Sequence, residues 1–236
     1  MQIKAILFDL DGTLLPMDMD AFLRAYFGGL SAKLAPHGYE PKALFAAIWA
    51  GTEAMIKNDG TKRNEDVFWE NFAARYEHDV RADIPLFDEF YQKNFECAKV
   101  ACGFNPLAAK TVQTLKEKGY TVALATNPLF PAIATEHRMR WAGFSPEDFA
   151  VYTTYENSVH CKPNPEYYKD VARSIGVAPE ECLMVGNDVG DDMVAKHAGM
   201  QVFLLTDCLL NKGNEDISAY PNGSFAELLA YVDSLQ

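Results

Sequence analysis

Two carboxylates stand two residues apart in Phe8-Asp9-Leu10-Asp11-Gly12-Thr13, directly after the apolar run Ile3–Phe8. Where a strand ends, acids at i and i+2 can point the same way, and Gly12 permits the sharp turn that brings them together. One carboxylate of such a pair can attack phosphorus as a nucleophile while the other gives and takes a proton. Three further stations follow along the chain. Thr126-Asn127 offers a hydroxyl and an amide after the run Tyr120–Ala125. Lys162-Pro163 offers a cation able to neutralise both a phosphate and a nucleophilic carboxylate. Last, Gly186-Asn187-Asp188-Val189-Gly190-Asp191-Asp192 crowds three acids into five positions. Crowded carboxylates repel unless a cation relieves them, and oxygen-only donors suit Mg²⁺.

The elements that must position these groups are legible in the apolar pattern. Ile3–Phe8, Tyr120–Ala125, Phe149–Thr153, Cys182–Val185 and Gln201–Leu205 are continuous rather than alternating runs. That pattern predicts strands buried on both faces, as in a parallel sheet. Helices are expected from Asn105-Pro106 to Gly119 and from Asn164-Pro165 to Gly176, each with an N-cap, a first-turn proline and a closing glycine. Pro131–Gly143, Asp191–Gly199 and Phe225–Leu235 also read as helical. The alternation implies an α/β fold, a parallel sheet covered by helices, with ligands at its carboxyl edge. Residues 16–101 differ. They carry helical spacing, as in Phe22, Tyr26, Phe27 and Leu30, and no strand-like run. The chain therefore divides into a core of residues 1–15 and 102–236 and an α-helical insertion of residues 16–101.

Composition narrows the partners. Among 236 residues, 33 acids oppose 21 bases, for a net charge of −12. Nucleic acid and anionic membrane surfaces call for the opposite sign, so neither is an expected partner. The five cysteines are odd in number and form no CxxC pair, which suits neither a disulfide framework nor a zinc site. The first ten residues lack a secretory pattern, and no apolar run approaches the ~20 residues of a membrane span. A cytoplasmic protein acting on a small-molecule phosphate ester is the expectation.

Taken in order, DLDGT, TN, KP and the GND…DD cluster resemble the haloacid dehalogenase superfamily of aspartate-nucleophile hydrolases. The likeness covers residues 1–15 and roughly 105–236, and the insertion falls where that family carries its mobile helical C1 cap. The resemblance implies a Rossmann-like core and Mg²⁺-dependent phosphoryl transfer. In that pattern Asp9 attacks phosphorus to form an aspartyl phosphate, and Asp11 serves as acid and then base. Thr126 and Asn127 hold phosphoryl oxygens, and Lys162 steadies the nucleophile and the phosphate. Mg²⁺ sits between the Asp9 carboxylate, the Asp11 backbone carbonyl and the last acidic cluster. The dehalogenating and phosphonate-cleaving branches lack an acid at the position of Asp11, which sets this chain apart from them.

One departure concerns the metal. Counting back from Ala198-Gly199, the family's metal-binding aspartate falls on Asn187 and its second acid on Asp191. A one-residue shift uses Asp188 and Asp192 instead, so direct ligation falls to Asn187 or Asp188, with Asp191 or Asp192 behind. A sugar phosphomutase can use the same aspartate pair, and a non-catalytic Mg²⁺ or phosphate-binding protein has no need of it. Elsewhere, Trp49, Phe68, Trp69 and Phe72 are expected in the core of the insertion. His160-Cys161 lies beside Lys162, and Asn58–Arg63 reads as a solvated loop.

Overall fold

The structure is a computed structural model describing residues 2–235. Four of the apolar runs form strands: β1 (Ala5–Phe8), β2 (Thr121–Leu124), β3 (Cys182–Gly186) and β4 (Gln201–Leu205). A two-residue β5 (Asn222–Gly223) completes a parallel sheet in the order β2-β1-β3-β4-β5. Strand β1, paired on both sides, explains its own sequence. Ile6 and Phe8 enter one apolar cluster and Ala5 and Leu7 the other, so both faces must be apolar. Register matters more for function. Phe8 lies opposite both Leu124 and Val185, so the chain leaves the sheet at one level after all three strands.

The core helices are α5 (Pro106–Glu117), α6 (Ala132–Trp141), α7 (Pro165–Ser174) and α8 (Phe225–Ser234), numbered after four helices of the insertion. Those four are α1 (Met19–Leu34), α2 (Pro41–Ile56), α3 (Asn64–Ala73) and α4 (Ile84–Lys93), followed by a 3-10 helix, Phe95–Ala101. The two connections to the core pair with one another. Met17 bridges Cys102 in antiparallel fashion, Asp18 N donates to Ala101 O at 3.0 Å, and Gly103 N donates to Pro16 O at 2.7 Å. The insertion also shares a core with α6. Phe95 stacks on Trp141 with ring centroids 5.4 Å apart, and Phe22 meets Phe130 edge-on.

The expected strand Phe149–Thr153 is reduced to a single bridge between Tyr152 and Leu124. The pairing stops there because Tyr155 N turns to Phe130 O, while Thr126 O is taken by Thr153 Oγ1 and Tyr167 Oη. Of the helical stretch Asp191–Gly199, only a 3-10 helix, Met193–Ala198, is formed. Phe95→Ala should cost about 3–5 kcal/mol of stability in urea unfolding, as a fully buried ring is lost. A loss below about 1 kcal/mol would mean that insertion and α6 do not share a packed core.

Candidate active site

The loop after β1 is wound tightly by its own backbone. Leu15 N and Thr13 N both donate to Leu10 O, and Gly12 N donates to Leu15 O. Gly12 takes φ +84°, and a Cβ there would come within 2.3 Å of Asn187 Nδ2. Glycine is thus required both by the left-handed turn and by the approach of the loop after β3. Thr13 Oγ1 lies 3.2 Å from Asp9 Oδ2 and 2.9 Å from Asn187 Oδ1, so its single proton is shared between two acceptors. Asn187 is oriented from its other end, where Nδ2 donates to Cys208 O at 2.7 Å. Its carbonyl oxygen therefore faces the Asp9 loop.

Lys162 is buried between two carboxylates. Its Nζ donates to Asp9 Oδ1 at 2.8 Å and to Asp192 Oδ1 at 2.6 Å. Burial works against the ammonium charge, but Asp192 and Asp9 together hold its pKa well above the ordinary lysine value. Asp192 is locked in turn by Asp188 N, and it fills the space where a Cβ on Gly186 would sit. Of the two registers left open by the sequence, Asp192 and not Asp191 pairs with the lysine. Asp188 Oδ1 accepts from Gly190 N and Asp191 N and so caps its own loop. Burial raises the pKa of Asp191, partly offset by Lys162.

Asp11 leans the other way, onto Arg138 of α6, with which it forms an ion pair. Sequence reasoning missed both Arg138 and Thr13. Arg138 is 1% exposed, lies 4.6 Å over the Phe130 ring, and is held by Ala134 O and Thr135 Oγ1. Nothing in its local sequence marks it, because its partner is 127 residues away. Burial pushes the Asp11 carboxyl up, against the pull of Arg138 and with the push of nearby Asp9. Two oxygens here are buried without a hydrogen-bond donor, Asp11 Oδ1 and Asn127 Oδ1. The backbone of Thr126 is tethered by Tyr167 Oη at 2.8 Å and Thr153 Oγ1 at 2.6 Å, both donating to its carbonyl.

All nine residues singled out in the sequence line one cavity of about 370 Å³. Trp69 and Phe72 are buried in the core as expected and Phe68 packs against it, although Phe68 and Trp69 also reach the cavity; Trp49, which lines it too, is the one that lies outside that core. Trp49 is in fact 56% exposed. The Asn58–Arg63 loop is solvent-exposed at Asp59 and from Thr61 to Arg63, as expected, and anchored at two points. Asn58 is buried against Asn64 and Lys62 O, and Gly60 sits on the His160 ring. His160 itself pairs with Asp170, and Cys161 packs with Met55 and Tyr155.

Among the described residues, no three His, Cys, Asp or Glu side chains converge as a metal-ion cluster. The donors near Asp9 are oxygens of mixed kind, one carboxylate with the Asn187 amide, beside the two undonated lone pairs on Asp11 and Asn127. Such a set fits a hard cation that keeps part of its water shell, as Mg²⁺ does.

The chain belongs to the haloacid dehalogenase-like hydrolases, whose family profile matches residues 3–199. It is similar to pyrophosphatase PpaX of Bacillus cereus (strain AH820), 26% identical over 221 residues, or 93% of this chain and 90% of the relative. Among solved structures it is similar to a predicted phosphoglycolate phosphatase from Haemophilus somnus 129pt, with a TM-score of 0.60, 20% identity and 98% of each chain covered. A 2-haloacid dehalogenase from Pseudomonas syringae pv. Tomato DC3000 superposes with a TM-score of 0.65, at 21% identity over 99% of each chain. At such identity the structural likenesses show the fold, and one fold hosts both reactions. Among the described residues, no helix is long and apolar enough to cross a membrane.

Arg138→Gln removes the guanidinium that draws the Asp11 pKa down, so that pKa should rise. Carboxyl ¹³C titration of aspartate-labelled protein reads it directly. A titration that does not move would rule out Arg138 as the partner that sets the Asp11 charge.

Proposed function

We propose that this hydrolase is a Mg²⁺-dependent phosphatase of small phosphate monoesters, with Asp9 as its nucleophile. The observation that carries the reading is the setting of Asp9. One oxygen is held by buried Lys162 and the other lies by the Thr13 hydroxyl, while Asp11 stands two residues on with a raised pKa. The phosphatase-type names of relatives support the same chemistry.

An Asp9 oxygen attacks phosphorus, and the bond from phosphorus to the ester oxygen breaks. Protonated Asp11 delivers its proton to that leaving oxygen, so the alcohol departs neutral. The raised pKa keeps this proton in place at higher pH than an ordinary aspartic acid would. Asp11, now ionised, takes a proton from the water that attacks the aspartyl phosphate, which frees phosphate and restores Asp9. Lys162 neutralises charge on Asp9 and on the transferring group, and Thr126 and Asn127 hold the phosphoryl oxygens. Arg138 stabilises the ionised form of Asp11 between the two half-reactions, which makes it a positioning residue. Asp9, the Asp11 carbonyl and Asn187 or Asp188 would hold Mg²⁺, with Asp191 or Asp192 behind, and the ion would supply charge that offsets the phosphoryl group.

Residues 16–101 act as the cap in this reading, swinging on the paired connections at Pro16–Asp18 and Ala101–Gly103 to exclude bulk water. All five cysteines are free, which fits a reducing cytoplasm.

Phosphate release from a monoester panel should require added Mg²⁺ after chelation. Asp9→Asn should lower release more than about a thousandfold with the fold retained by circular dichroism. Near-normal turnover by that variant would remove Asp9 as nucleophile.

A further inference from the structure

The cavity has a charged floor and an uncharged roof. The floor comes from the core and the roof from α1 to α4. Among the described residues, no charged side chain of residues 16–101 lines the cavity. Its roof polar groups are few: Thr52, the Trp49 and Trp69 indoles, and the phenols of Tyr26 and Tyr91, which bond to each other at 2.8 Å.

Helix α2 accounts for much of the roof because it carries two apolar faces. Leu44, Ala47, Ile48, Gly51 and Met55 are buried inside the insertion. Phe45, Trp49, Thr52 and Ile56 follow at helical spacing on a second face. Trp49, Thr52 and Ile56 line the cavity, and Phe45, Trp49 and Ile56 are exposed around it. A surface helix with one core to fill needs only one such stripe, so the second calls for an apolar occupant. Trp49 is held for the purpose. It stacks on Phe45 at 6.2 Å and 13°, and Phe45 is braced edge-on by Phe27 at 4.8 Å.

Charge points the same way. Five carboxylates and three cations line the cavity. Of the cations, Lys162 is committed to Asp9 and Asp192, and Arg138 to Asp11. Only Lys212 is left, on the exposed core rim. A second phosphate or a carboxylate on the leaving group would therefore lie against an aromatic roof that itself offers no cation, with Lys212 on the core rim as the one uncommitted charge of the lining.

Building on the phosphatase reading, we propose that the substrate is the phosphate monoester of an uncharged alcohol bearing an aromatic ring, which packs between Trp49 and the roof rings. The pyrophosphatase activity in the name of the Bacillus cereus relative is not carried by this roof.

The test compares 2-naphthylmethyl phosphate, 1-hexyl phosphate, phosphoglycolate and pyrophosphate with Mg²⁺ at one ionic strength, with acetyl phosphate as a small reactive control. The two neutral alcohols have similar acidity, so their ratio reads recognition rather than leaving-group reactivity. The naphthyl ester should exceed the hexyl ester in kcat/KM by about tenfold or more, and both anionic substrates by a wider margin. Trp49→Ala should collapse the naphthyl-to-hexyl ratio, chiefly through KM. A preference for pyrophosphate or phosphoglycolate, or a hexyl ester used as well as the naphthyl one, overturns the proposal and leaves the phosphatase reading standing. No release from any compound, acetyl phosphate included, overturns that reading and this proposal with it.

Discussion

A buried lysine needs two carboxylates, and much of this molecule is arranged to meet that need. Lys162 has lost its water, and only Asp9 at 2.8 Å and Asp192 at 2.6 Å make its charge tolerable. Removing one partner from such a buried set costs about 3–5 kcal/mol, because it strands a charge in a low-dielectric interior. The three groups come from three separate loops, 153 and 30 residues apart along the chain. They meet because β3, β1, β2 and the segment bridged to β2 at Tyr152 all run parallel, so that the loops open at one sheet edge. Gly186 and Gly12 then leave room, one for Asp192 and the other for Asn187.

A second buried pair balances the first. Asp11 leans on Arg138 while Asp9 leans on Lys162, so adjacent acids face different cations. Their environments differ accordingly. Asp9 is gripped through both oxygens, whereas Asp11 has one oxygen left undonated and a raised pKa. Two carboxylates with distinct surroundings are what a nucleophile and a proton carrier require. Asn187 adds to the contrast by placing a neutral amide oxygen beside Thr13 and the Asp9 loop. In the proposed site, fewer negative charges would leave a bound cation more of its own water.

The helical insertion is joined to the core at more than its two connections. Phe22 and Phe95 reach Phe130 and Trp141 beside α6, the helix that also carries Arg138. Roof and floor of the cavity are thus mechanically linked through one aromatic cluster. The same α/β scaffold serves a dehalogenase among the structural neighbours. Differences of reaction and substrate must then lie in the side chains around the site, not in the sheet.

The local motifs were legible in the sequence because their chemistry is local. An acid pair after an apolar run, a glycine at a turn and proline-capped helix starts each declare themselves within a few residues, as do strands buried on both faces. So the parallel core, the helical insertion and the nine cavity residues were readable in one dimension. Other features depend on residues far apart in the chain, and only the tertiary structure decided them. Arg138 is an ordinary helix residue until Asp11 arrives from 127 positions away. Asp192 prevails over Asp191 because of where Lys162 lies. Trp49 looked like core because helical spacing shows that a face is apolar, not what it faces. The segment Phe149–Thr153 has the composition of a strand, yet its pairing ends after one bridge because Tyr155 N turns to Phe130 O. Sequence determines which groups a segment can present; burial and distance, set by the packing of the whole chain, decide which of them meet.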